Sequence, residues 1–136
     1  MNALKRFFDG DRYAKLSGIK LVKVSPGAAT AQMRIRSCHL NALGIVQGGA
    51  IFTLADFAFA AASNTHGRIA VAINVSITYM KAASSGILVA EASELSVNPN
   101  LGSYTVNVTD RSGVLIAVFQ GLVYRKSANL VKQKRG

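Results

Sequence analysis

The sequence predicts an α+β fold: a curled antiparallel β-sheet wrapped around one long central helix. Three observations carry this expectation. Residues 48–64 are apolar on every side of a helical wheel, and a helix without a polar face must be enclosed. Segments before and after that run alternate apolar and polar residues with the period of two that marks half-buried strands. Short clusters of Gly, Pro, Ser and Asn separate those segments, as tight turns require.

Each element has its own signal. Residues 11–16 form a short helix that stops at Gly18. Two strands follow, 19–24 and 28–36, joined by a turn at Ser25-Pro26-Gly27 and carrying Ala29, Ala31, Met33 and Ile35 at alternate positions. A loop over 37–47 leads into the long helix, which His66-Gly67 stops. Ile69, Val71, Ile73, Val75, Ile77 and Tyr79 then mark every second position of a long strand. Further strands span 87–97, 103–110 and 114–124, with turns at 83–86, 98–102 and 111–113. A β-rich chain with one wholly apolar helix is satisfied when the sheet curls round the helix, which is the hotdog fold. Residues 1–126 are expected to form that single domain and 127–136 a basic C-terminal tail.

The 136 residues suit one domain with a real core. Charged residues are 16% of the chain, below the usual 25% or so, which points to apolar surface covered by a second subunit or an oily ligand. The net charge of +10 favours an anionic partner. Five of the sixteen basic residues are Arg125, Lys126, Lys132, Lys134 and Arg135, a solvated tail. Charge alone would suggest a nucleic-acid partner, and the basic tail is not a known recognition module, so none is expected. The single cysteine, Cys38, makes a reducing compartment the default. The opening MNALKRFFDGDR has no apolar core of a signal peptide, and the greasiest window, 50–62, is too short to span a bilayer. A soluble cytoplasmic protein without a membrane partner is expected.

The chemistry concentrates in HLNALGIVQGGAIFTLAD, residues 39–56. Gly48 and Gly49 open the helix, where backbone N–H groups lack intrahelical partners and the dipole favours negative charge. Asp56 is a lone carboxylate on an otherwise apolar helix with no Lys or Arg beside it. Burying it costs several kcal/mol unless it is well partnered. Its structural reading is an aspartate satisfied by Thr53 or Ser63; its functional reading is a general base or nucleophile.

This stretch resembles the signature of phenylacetate-pathway (PaaI-type) hotdog thioesterases, roughly H-x-N-x-x-G-x-x-H-G-G-x-x-F-x-L-A-D-x-A-F-A, and the likeness extends from Asp11 to Arg125. The resemblance implies an acyl-CoA thioesterase with no cofactor beyond the coenzyme A of its substrate. It makes the Gly48 N–H the oxyanion donor, Asp56 the base or nucleophile, and Asn41 a residue lining the site. Asn74, read as sharing a strand face with Ala70, Ala72, Ser76 and Thr78, resembles the polar position that orients the attacking water. Gln47 departs from the pattern, which has histidine there. Its amide can donate a hydrogen bond but cannot carry a proton near pH 7. That departure leaves a non-catalytic acyl-CoA binding or sensing protein as the alternative.

Eight helical residues separate Gly48 from Asp56, about 12 Å of axial rise, whereas one reacting carbonyl must lie about 3 Å from both groups. Either Asp56 serves another ligand or a second subunit completes the site. The resemblance favours the subunit: a homodimer, alone or within a tetramer that is a dimer of dimers, with Gly48 of one chain facing Asp56 of the next. The acyl group is then expected near Gly49, Phe52, Phe57 and Phe59, between the two central helices. The phosphates of coenzyme A are assigned to Lys81, Arg68 or Arg125, since the turn 98–102 has no arginine. His39 is read as structural and His66 as a cation at the helix end. Two histidines and one cysteine make a zinc site improbable.

Overall fold

The computed structural model describes residues 2–130. Two short helices come first, α1 (Asn2–Phe8) and α2 (Arg12–Leu16), then the hairpin β1 (Ile19–Ser25) and β2 (Ala28–Arg34). A 3₁₀ turn at Ser37–His39 precedes α3 (Gly48–Ser63). Four strands complete the chain: β3 (Arg68–Tyr79), β4 (Ile87–Val97), β5 (Leu101–Asp110) and β6 (Leu115–Asn129). Lys132, Lys134 and Arg135 of the expected basic tail lie outside the described residues, and β6 itself continues to Asn129.

Local chemistry explains the boundaries. Asp11 caps α2 by accepting a bond from the Ala14 N–H at 3.0 Å. Gly27 closes the first hairpin at φ 73°, a conformation that costs glycine nothing. Asn64 ends α3: its Nδ2 donates to the Ala60 carbonyl at 2.8 Å and its Oδ1 accepts from the Ala70 N–H at 2.9 Å. One side chain therefore terminates the helix and fastens it to β3.

All six strands are antiparallel, in the order β1-β2-β4-β5-β6-β3. The expectation of a curled sheet wrapping the helix is corrected here. The sheet is open, with β1 and β3 at separate edges, and α3 is layered against it, chiefly on β2, β4 and β5. Closure would need β1 and β3 to exchange hydrogen bonds. β1 is unsuited to that, because a bulge interrupts its ladder between Leu21 and Lys23 and Lys5 Nζ occupies the Val22 carbonyl at 3.3 Å. The fold is α+β and hotdog-like, without the wrapping.

Nine of the sixteen α3 residues are buried, so the helix is mostly core. Phe59 is 1% exposed and sits at its centre, with ring centroids of Tyr104 at 5.8 Å and Phe119 at 5.3 Å. Enclosure is not complete, however. Gly49, Phe52, Thr53, Asp56 and Ala60 recur at helical spacing as a stripe that stays partly open to solvent.

His66 does not cap the helix. Its Nε2 lies 2.6 Å from Glu94 Oε1, which also accepts the Tyr104 hydroxyl at 2.8 Å. Burial alone would push the Glu94 carboxyl up; the bonds from His66 and Tyr104, with the charges of His66 and Arg125, outweigh it and hold the group below its ordinary 4.5. A depressed folded-state pKa stabilises the fold above the unfolded value and ceases to do so as pH falls through the folded one. Glu94→Gln should therefore have a lower Tm than the parent at neutral pH. The gap should close as pH drops below about 4.5. A gap independent of pH in thermal melts would show that the charge of Glu94 contributes nothing.

Candidate active site

The loop before α3 is held by its own backbone and by buried polar side chains. His39, 5% exposed, accepts the Arg36 N–H on Nδ1 at 2.9 Å, and its Nε2 meets the Ser17 carbonyl at 2.8 Å. Its role is structural, as the sequence suggested. Asn41 Oδ1 accepts from the N–H groups of Leu43 and Ile45 at 2.9 and 3.3 Å, so its carbonyl side shapes the loop through an Asx-turn. The Gln47 N–H donates to the His39 carbonyl and the Val46 N–H to the Ala83 carbonyl, both at 2.8 Å. These bonds fix where the helix starts.

Gln47 is the N-cap residue, but its side chain makes no capping bond and is exposed. Its Oε1 leans over the helix entrance, 2.7 Å from where a Cβ on Gly49 would sit. Among the described residues the N–H groups of Gly48 and Gly49 have no protein acceptor. Two donors and the positive end of a sixteen-residue helix thus converge on one point.

Tyr79 explains why Gly48 has no side chain. Its hydroxyl donates to the Gly48 carbonyl at 2.8 Å, and a Cβ on Gly48 would come within 2.9 Å of the ring. The sequence placed Tyr79 only in an apolar row. The signal available was its position as the last inward residue of a strand ending beside the helix start.

Asp56 lies two turns further along the same face of α3. Among the described residues it has no hydrogen-bond partner. Thr53 Oγ1 donates to the Gly49 carbonyl at 2.8 Å and Ser63 Oγ to Ala60 at 3.1 Å, so neither hydroxyl satisfies the carboxylate. Partial burial raises its pKa above the ordinary 3.8, and the negative charge of Asp11 raises it further. Asp11, read from the sequence only as part of a short helix, is therefore an electrostatic neighbour of the site.

Other anticipated residues are placed apart. A bulge at Ile73 breaks the alternation of β3, because register to β6 shifts between Ala72 and Asn74. Ala70 and Ala72 consequently lie on the helix side with Val75, Ile77 and Tyr79, while Asn74 shares the opposite face with Ser76 and Thr78. Asn74 thus points away from the helix that carries Gly48 and Asp56. Phe59 belongs wholly to the core. Phe52 is half-buried against Phe119 at 5.5 Å. Phe57 meets Phe8 edge-on at 5.7 Å and borders a cavity of about 360 Å³ between α2, β1 and α3, whose other walls include Phe8, Ala14, Ile19 and Leu21.

Of the three basic candidates, two are already engaged. Arg68 donates to the carbonyls of Lys126 and Arg125, and Arg125 donates to Asn98 at 2.7 Å, reaching the turn that lacks its own arginine. Lys81 is exposed, two residues beyond Tyr79. No helix among the described residues is long and apolar enough to cross a membrane. None of their His, Cys, Asp or Glu side chains cluster as a metal site.

Comparison with known proteins adds to this geometry. Residues 43–117 match the thioesterase superfamily. A relative from Archaeoglobus fulgidus is 44% identical, covering 87% of this chain and 77% of its own. The acyl-coenzyme A thioesterase PaaI of Escherichia coli is 30% identical over 87% of this chain and 85% of its own. Among solved structures, the E. coli PaaI protein from the phenylacetic acid degradation operon superposes with a TM-score of 0.88 over 91% of each chain, at 28% identity. The TT0310 protein of Thermus thermophilus gives 0.80 at 35% identity, covering 84% of this chain and 97% of that one.

Proposed function

Because the chain belongs to the thioesterase superfamily and is a thioester hydrolase, we propose that it hydrolyses an acyl-CoA at a site shared by two copies of itself. The observation that supports this best is the pairing of groups on α3 that are unused among the described residues: N–H donors at Gly48 and Gly49, and a half-buried carboxylate at Asp56. The thioester oxygen is held by the Gly48 N–H, where negative charge develops as the carbonyl is attacked. Asp56 of the partner subunit removes the proton of the attacking water, or attacks the carbonyl itself. Gln47 adds a neutral donor beside the oxyanion when its amide turns Nε2, in place of Oε1, toward the helix entrance. Asn41 keeps the loop in place and turns its remaining amide toward the thioester. The acyl group occupies the cavity bordered by Phe57, whose size suits an aryl or medium-chain group.

The sheet edges favour a second copy as the missing half. Both edge strands carry a bulge, but β1 is also defended by Lys20 and Lys23, and by Lys5. β3 has no charged residue from Ile69 to Met80, and leaves Val71 39% and Ile73 54% exposed on its free edge. Such a strand is a template for pairing.

Symmetry then restricts the arrangement. Two antiparallel copies of α3 related by a two-fold axis bring Gly48 to Asp56 of the partner subunit only if the residue midway, Phe52, lies near the axis. A short bifunctional maleimide should therefore join Phe52→Cys chains into covalent dimers far more readily than Ala60→Cys chains, both in a Cys38→Ser background. Dimers that join at position 60 and not at 52 would rule this arrangement out.

The pH profile offers a second test. Activity should rise with pH through one acidic limb as Asp56 ionises, displaced upward from 3.8 by burial and by Asp11. Asp11→Asn retains a good helix cap and removes the repelling charge. It should move the limb of kcat toward lower pH, and a limb that stays put or moves up would show that Asp11 does not tune the site.

A further inference from the structure

At one end of the sheet three turns converge, because β2, β4 and β5 are neighbours with Arg34 opposite Ile87 and Leu88 opposite Asp110. They enclose an open groove of about 360 Å³, lined by Arg34, Ser85, Gly86, Asp110, Arg111 and Ser112. Arg36, Arg68 and Arg125 each donate to backbone carbonyls, whereas the side chains of Arg34 and Arg111 have no hydrogen bond or ion pair among the described residues. The one carboxylate present is turned into its own loop. Asp110 Oδ1 accepts from Ser112 Oγ at 2.7 Å and from the N–H groups of Ser112 and Val114 at 2.9 and 3.0 Å. It forms no ion pair with either guanidinium group, and the Ser85 hydroxyl has no partner, among the described residues.

From this groove, and resting on the acyl-CoA reading above, we infer that Arg34 and Arg111 form a phosphate-binding subsite for the nucleotide end of the coenzyme. Two planar guanidinium forks suit a terminal phosphate dianion, which each can engage through paired charge-assisted bonds. The groove is also within reach of the helix start. Ala83 accepts a bond from Val46, Ser85 is two residues beyond the first and Gly48 two beyond the second. At no more than about 3.6 Å per residue, Ser85 lies within roughly 20 Å of Gly48. The pantetheine arm has two amide links and is about as long as five extended residues, roughly 17 Å. A thioester at Gly48 can therefore place its nucleotide near Arg34 and Arg111. Electrostatic capture here gives the excess positive charge of the domain a specific use.

The test compares the parent with an Arg34→Ala/Arg111→Ala double variant in two measurements. In the first, adenosine 3′,5′-bisphosphate and adenosine 5′-diphosphate are titrated calorimetrically. The variant should bind the bisphosphate at least about tenfold more weakly, with the 5′-diphosphate less affected if the 3′-phosphate is the group held. In the second, KM is measured for an acyl-CoA and for the matching acyl-N-acetylcysteamine, which has no nucleotide. KM for acyl-CoA should rise at least about tenfold more than KM for the truncated thioester. Equal bisphosphate affinity in both proteins, or equal KM changes on both substrates, would overturn the subsite. A parent that binds the bisphosphate but hydrolyses neither thioester would sink the acyl-CoA reading and leave the subsite standing.

Discussion

Asp56→Asn should lower kcat by at least about a hundredfold, the lower end for removing a general base. The amide keeps the volume of the side chain and removes a half-buried charge that has no partner among the described residues, so the fold should survive with unchanged or slightly higher Tm. If Asp56 and the Gly48 N–H act from different chains, mixing two defective proteins should restore turnover. One partner would be Asp56→Asn. The other would be Gly48→Pro, which deletes the donor at a helical position where proline is otherwise accepted, although Tyr79 must yield to it. Mixed dimers contain one intact site. Unchanged turnover in Asp56→Asn would make the carboxylate structural, and verified mixed dimers without activity would exclude sharing.

Gly121→Ala should be among the most damaging single methyl groups that can be added to this chain. A Cβ there would come within 2.5–2.8 Å of three atoms of the Phe59 ring. That ring is held between Tyr104 and Phe119 and cannot swing aside without opening the core. Overpacking of this kind costs about 3 kcal/mol, which for a domain of this size lowers Tm by about 10 °C. Phe59→Leu in the same chain should recover part of the loss by making room. A Gly121→Ala protein that melts with the parent would show that the core at Phe59 yields more easily than its packing implies.

Much of the fold was legible because local signals and tertiary demands agree. The apolar run after Gly48–Gly49, the Gly67 stop and the strand boundaries at 87 and 97 are set by periodicity and turn chemistry within a few residues. Three features were not legible, each for a physical reason. Residues 2–8 are too short and mixed for a helical pattern, and α1 exists because Leu4 and Phe8 bury themselves in the core. The open sheet depends on whether two strands 43 or more residues apart in sequence meet, which no window of sequence contains. The bulge at Ile73 put Ala70 and Ala72 on the face opposite Asn74, since a period of two holds only while the ladder is unbroken. At the site, Gly48 and Asp56 stood out because a glycine pair and a charge are anomalous in an apolar helix. Tyr79 and Asp11 did not, because their proximity to those residues is created by folding.

The position of β3 in the sheet also bears on how the chain comes off the ribosome. β3 ends at Tyr79, but its hydrogen-bonded neighbour is β6, the last strand, whose pairing with it runs through residues as late as Asn129. Until that strand has been synthesised, the apolar row of β3 and the α3 face behind it have no native cover, while β1, β2, β4 and β5 can already form a ladder. At typical synthesis rates of about 5–20 residues per second, β3 waits several seconds for its partner. A nascent chain of this kind is sticky over the very strand left free in the finished sheet, and is an expected client of chaperones that bind unpaired apolar strands.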